Sequence, residues 1–345
     1  MNKRLEPPLG FQADIAALRV VSALAVILTH TCGILLVHPE AFTPTPEQVQ
    51  FFSLFANSWS WHVPVFFMIS GALLLKREKN ITPAVCLIKY AGHVLAALFV
   101  FGIPFAIIEM IVTERGFYIG MLGQSVLRVI NGESWDHLWF LYSLLGLYLF
   151  LPLFKRYTDS ASRSEQRYVL FVLFVLDMCC PAIDMLTGSQ IAFTANMVYP
   201  IFYFLLGRYL AEETPKALRF RWLNACGPLL LFTVYALAPK LGKALCGYTG
   251  PLTVAAASMT FVLFKGISVP LSGKRLLWRL DRLCFGVFII HPAFMHFLYR
   301  FLFITPLSFR HWALMMPVFY MSFCLMSFFA SWVMSLIPPL RKYVL

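Results

Sequence analysis

Two ionisable residues, Arg19 and His30, stand inside the long apolar run Asp14–Val37. A charged or titratable group within such a segment is costly to hold in hydrocarbon, so it marks a functional position unless something simpler explains it. Their spacing adds to the point. Eleven residues at about 100° each make close to three full turns, so the two side chains share one helix face, about 16 Å apart along the axis. Arg19 lies near the end where the chain enters the apolar region, and His30 lies in the far half. A guanidinium is suited to holding an anion. An imidazole deeper in can move a proton or act as a nucleophile near neutral pH. Taken singly, Arg19 also reads as an interfacial anchor reaching for water and His30 as a packing histidine. The shared face weighs against two independent anchors.

Three further segments hold candidate residues. Val63–Gly71 reads VPVFFMISG and ends on the pair Ser70-Gly71. Such a pair lets helices approach closely, and the serine can hydrogen-bond between them. His137, Trp139 and Tyr142 cluster in the run His137–Tyr142. Interfacial Trp and Tyr form aromatic belts in membrane proteins, and the same rings can line a pocket. Cys284–Pro292 carries a second histidine within an apolar run, His291, followed by Pro292, which frees a backbone carbonyl. No metal site is legible, since the eight histidines form no HExxH or other ligand spacing. Phosphate-binding glycine loops, a dinucleotide fingerprint and a GxSxG elbow are missing as well.

The elements that must position these residues follow from composition. The chain of 345 residues is 60% hydrophobic and only 13% charged, with a mean hydropathy of +0.75. Repeated apolar runs of about 20 residues predict an all-α polytopic bundle of transmembrane helices. Ten spans are expected, at roughly 14–37, 53–75, 85–112, 137–154, 168–186, 193–212, 222–239, 251–269, 281–303 and 312–337. With the N-terminus inside, the cytoplasmic segments and their flanks hold 21 Lys and Arg and the external ones 6. That asymmetry predicts both termini in the cytoplasm. It also accounts for the net charge of +12 through topology and anionic lipid headgroups, without nucleic acid. Lys3 and Arg4 before the first apolar run resemble a signal peptide. The ionisable residues within the run, and the lack of a small-residue cleavage site, predict a retained first span instead. The eight cysteines include no CxxC pair and read as core residues.

Together these segments resemble the acyltransferase 3 family of integral membrane acyltransferases. The family pattern of an arginine, ten residues and a histidine in the first helix is matched by Arg19 and His30. Its VPxFFxISG phrase is matched at Val63–Gly71, its HLWFLY…LYLxxPL stretch at His137–Leu153, and its late S/C-x-G-I/V-Y/F-x-x-H phrase at Cys284–His291. The order holds across nearly the whole chain. This gives a membrane domain over 11–337 with short cytoplasmic tails at 1–10 and 338–345. The subtype resembled is the stand-alone O-acetyltransferase type of enterobacterial common antigen synthesis.

The resemblance implies a multi-pass protein of the bacterial inner membrane. It would move an acetyl or other acyl group from cytosolic acyl-CoA, with acetyl-CoA as donor substrate and no metal. The acceptor would be a hydroxyl of an extracytoplasmic glycan or lipid-linked sugar. His30 and Arg19 would be catalytic, with His30 as general base or as acyl carrier. Ser70, Lys89, His137, Trp139, Tyr142 and His291 would contact substrates. Phosphates of the donor would lie near the basic inner residues, Lys76, Arg77, Lys79 and Lys89 among them. One position departs from the family. An acid usually stands three residues before the arginine, and here that position is Ala16. The nearest acid, Asp14, lies about 140° around the helix from Arg19 and is not expected to pair with it. The same line of polar groups also suits a competing reading, a transporter or exporter of a surface polysaccharide or small molecule.

Overall fold

The computed structural model describes residues 7–37, 42–189, 191, 198–213 and 220–344. The expected start of the sixth span and most of the N-terminal tail lie outside these residues. Every regular element described is helical, and no strand occurs among the described residues. The principal helices are α1 (Ala13–Val37), α2 (Pro46–Asn57), α3 (His62–Leu74), α4 (Pro83–Glu114) and α5 (Gly120–Asn131). They continue with α6 (Trp139–Leu149), α7 (Leu151–Ser160), α8 (Arg163–Thr187), α9 (Tyr199–Glu212) and α10 (Gly227–Leu237). The chain ends on α11 (Pro251–Phe264), α12 (Leu271–Asp281), α13 (Cys284–His296) and α14 (Trp312–Leu336).

Among the described residues, five helices are long and apolar enough to cross a membrane, or six if the bent pair around Phe150 is one span. Several of the ten expected spans are instead shorter or broken helices, and the reasons are local. The second breaks between α2 and α3. There Asn57, Ser58 and Ser60 turn their side chains back onto the carbonyls of Ser53, Leu54 and Asn57, which offers the backbone an alternative to the helix ladder. The fourth bends by 57° between α6 and α7, next to Pro152, which has no amide hydrogen to continue the ladder of α6. At 14 residues, α9 and α11 rise about 21 Å each, short of a hydrocarbon core of about 30 Å.

The chain divides into two compact units, residues 1–76 with 161–331, and 77–160 with 332–345. In the first unit, α1 is the central stave. Its residues Ile27, Cys32 and Leu35 pack with Phe52 of α2, with Val287 and Met295 of α13, and with Phe323 of α14. Side chains also bond onto it from other elements. The Tyr320 hydroxyl donates to the Leu24 carbonyl at 3.3 Å, and the Tyr299 hydroxyl to the Thr31 carbonyl at 3.4 Å. Each such bond is worth about 0.6 kcal/mol within a membrane, so they set register more than they supply stability. A second tight contact joins α3 to α9. A Cβ on Gly71 would lie 1.8 Å from the Phe204 carbonyl oxygen, and one on Gly207 would lie 2.1 Å from that of Met68. The two backbones touch, and only glycine fits at either position. In the second unit α4 packs on α5, with Ser134 bonded to the Gly102 carbonyl at 2.7 Å.

Candidate functional site

The site is built on α1, in the first unit. At its deeper end the ring of His30 lies 5.1 Å from that of His291, centroid to centroid, at an interplanar angle of 59°. His291 comes from α13, far away in sequence, and is fully buried. Its Nδ1 donates to the Val287 carbonyl at 3.0 Å, one helical turn back. A carbonyl can only accept, so in the neutral ring Nε2 carries the lone pair. Pro292 sits in the interior of α13 and removes one rung of its ladder next to this ring.

A third histidine belongs to the group. His62, the first residue of α3 and fully buried, places Nε2 3.1 Å from the Thr29 hydroxyl of α1 and lies within electrostatic reach of His30. Its other side faces Tyr248, ring centroids 6.2 Å apart. Tyr248 stacks in turn on Tyr199 at 6.2 Å and 20°, and accepts from the Tyr203 hydroxyl through its carbonyl at 3.0 Å. Three helices thus bring three imidazoles together beside a wall of tyrosine rings. Among the described residues no group of three or more His, Cys, Asp or Glu is placed to hold a metal ion. Imidazoles placed in this way can transfer protons or act as nucleophiles.

At the other end of α1, Arg19 forms an ion pair with Asp281, the last residue of α12. Asp14 does not serve it. One Asp14 oxygen accepts from the Ile15 amide at 2.8 Å and the other from the Gly266 amide at 3.0 Å. The contacts 19–281 and 30–291 advance together along both chains, so α1 and the segment leading into α13 run parallel in near register.

The other expected site residues divide. Ser70 is in the first unit, and its hydroxyl donates to the Phe66 carbonyl of its own helix at 3.0 Å. Lys89, His137, Trp139 and Tyr142 belong to the second unit. Lys89 lies over the Tyr90 ring at 5.7 Å. His137 is buried beside Phe105 and Trp135, which stack on each other at 4.1 Å. Trp139 meets Phe140 edge to face at 6.2 Å, and the Tyr142 hydroxyl donates to the Val129 carbonyl. The same unit holds an open cavity of about 620 Å³ whose lining includes Arg77, Lys79, Lys155 and Arg156 together with Glu78 and Asp159. Lys155 within it is buried and paired with Asp159.

Sequence reasoning missed His62 and the partner of Arg19. A signal existed for each. His62 directly precedes the VPVFFMISG run, as a third histidine among apolar residues. Asp281 is the one acidic residue between positions 214 and 345. No curated protein and no solved structure matches the chain. Over residues 12–336 it does match the acyltransferase domain family Acyl_transf_3, and with its long apolar helices this bundle belongs to that family of membrane acyltransferases.

Proposed function

We propose that this protein is an O-acyltransferase that takes an acetyl group from cytosolic acetyl-CoA and places it on a hydroxyl of an extracytoplasmic glycan or lipid-linked sugar. The observation that carries the reading is the pairing of Arg19 and His30 on one face of α1, with His30 ringed by His291 and His62. The acceptor hydroxyl gives its proton to His30, its oxygen attacks the thioester carbonyl, and the CoA thiolate leaves. A positioned general base of this kind supplies about 10²–10⁴-fold. Arg19 holds the anionic donor. Ser70, His137, Trp139 and Tyr142 remain candidates for substrate contact. Tyrosine rings beside His62 offer flat apolar faces to a sugar.

In the same reading the chain crosses the bacterial inner membrane ten times with both termini inside. The parallel run of α1 and α13 is consistent with an odd number of crossings between them, as in the ten-span count. The subtype favoured is that of enterobacterial common antigen O-acetylation.

The test is transfer of label from radiolabelled acetyl-CoA to envelope glycan, with wild type compared against His30→Ala and Arg19→Ala at matched membrane levels. Loss of label in both variants supports the enzyme. Unchanged label in His30→Ala removes its catalytic role and favours the transporter. Solute movement into vesicles without acyl-CoA points the same way.

A further inference from the structure

Asp281 has no role in what has been derived so far, yet its placement is unusual. From residue 214 to residue 345 it is the one carboxylate, and its own neighbourhood in sequence is basic, with Lys274, Arg275, Arg279 and Arg282. None of these cations stands three or four residues from it, the spacing at which side chains on one helix meet. It pairs instead with Arg19, 262 residues distant and on another helix. Arg282 is turned to the Trp278 ring, 5.1 Å from its centroid. The pair is largely withdrawn from solvent, at 26% and 15% side-chain exposure, where attraction is less screened than at a surface and an unpaired partner is costly.

A lone guanidinium on a long flexible stem samples many rotamers and snorkels toward water. Holding one Nη on a carboxylate removes most of that freedom and leaves the rest of the planar fork in a fixed direction. Asp281 also ends α12 immediately before α13. One carboxylate therefore fixes the arginine and the register in which His291 meets His30.

We propose that Asp281 is the positioning residue for Arg19: its carboxylate holds the guanidinium toward the acyl donor. This rests on the acyltransferase reading above, in which Arg19 holds the donor.

The experiment is acetyl transfer from radiolabelled acetyl-CoA by the full-length protein in membranes, with kcat and KM for the donor measured for wild type, Asp281→Asn, Asp281→Glu, Arg19→Gln and the Arg19→Gln/Asp281→Asn double variant. Gel filtration in detergent checks the fold of each. Asp281→Asn keeps the shape and loses the charge, and its kcat/KM is expected to fall about tenfold to a hundredfold. Asp281→Glu is expected to stay within about threefold of wild type, and Asp281→Asn to cost less than about twofold once Arg19 is already Gln, the non-additivity of residues that act as one unit.

Full activity in Asp281→Asn overturns the proposal. So does an undiminished further loss in the Arg19→Gln background, because Asp281 would then act independently of Arg19. Asp281→Glu as slow as Asp281→Asn overturns it too, since charge would not be what the residue supplies. A wild-type protein that moves no acetyl group fails the acyltransferase reading itself, which separates that failure from the others.

Discussion

The two ends of α1 solve opposite problems. At Arg19 a permanent charge is held in a partly covered place, and the structure answers with a carboxylate from another helix. At His30 the groups are of another kind: the His291 ring stands against it, and His62 nearby meets the Thr29 hydroxyl and the Tyr248 ring. In the proposed acyltransferase, one end holds an anion and the other passes a proton. The same helix carries both because eleven residues return to the same face.

Substitutions break the comparison in order of expected size. His30→Ala removes the proton-passing group and should lower acetyl transfer about 10²–10⁴-fold, with donor KM little changed. Arg19→Ala should act chiefly on the donor, raising KM for acetyl-CoA about tenfold to a hundredfold, and a donor-concentration series reads the difference. His291→Ala should lower kcat about tenfold without moving donor KM, since this ring stands against His30 and far from Arg19. Ala16→Asp added to Asp281→Asn sharpens the Arg19 end. It relocates the carboxylate to a position three residues back on the same helix face, and should recover at least about half of the loss on a logarithmic scale. The smallest effect belongs to Thr29→Val. It removes the hydroxyl that meets His62 and should cost about 0.6 kcal/mol in stability and no more than about threefold in kcat, read by thermal unfolding in detergent and by the same assay.

The helical class and the face shared by Arg19 and His30 were legible because both are local. Hydropathy and a 3.6-residue period need no knowledge of neighbours. The Ser70-Gly71 pair was legible as a packing signal, and Gly71 does meet the backbone of Phe204. What could not be read was partnership across long sequence separations. Nothing in the sequence says that residue 291 returns to residue 30, or that residue 281 finds residue 19. His62 was overlooked because its partners in space, Thr29 and Tyr248, lie far from it in sequence. The interruption before α3 was overlooked because its serines raise polarity only slightly. They act through hydrogen bonds that hydropathy does not count.

The ion pair of Arg19 has a consequence in time as well as in space. Arg19 enters with the first helix, while its carboxylate is 262 residues further along the chain. At a synthesis rate of about 5–20 residues per second, roughly 13–52 s pass between the two. During that interval α1 carries an arginine without its eventual counter-ion. Closing the pair is then a late step of assembly, open only once the carboxylate of α12 has been made.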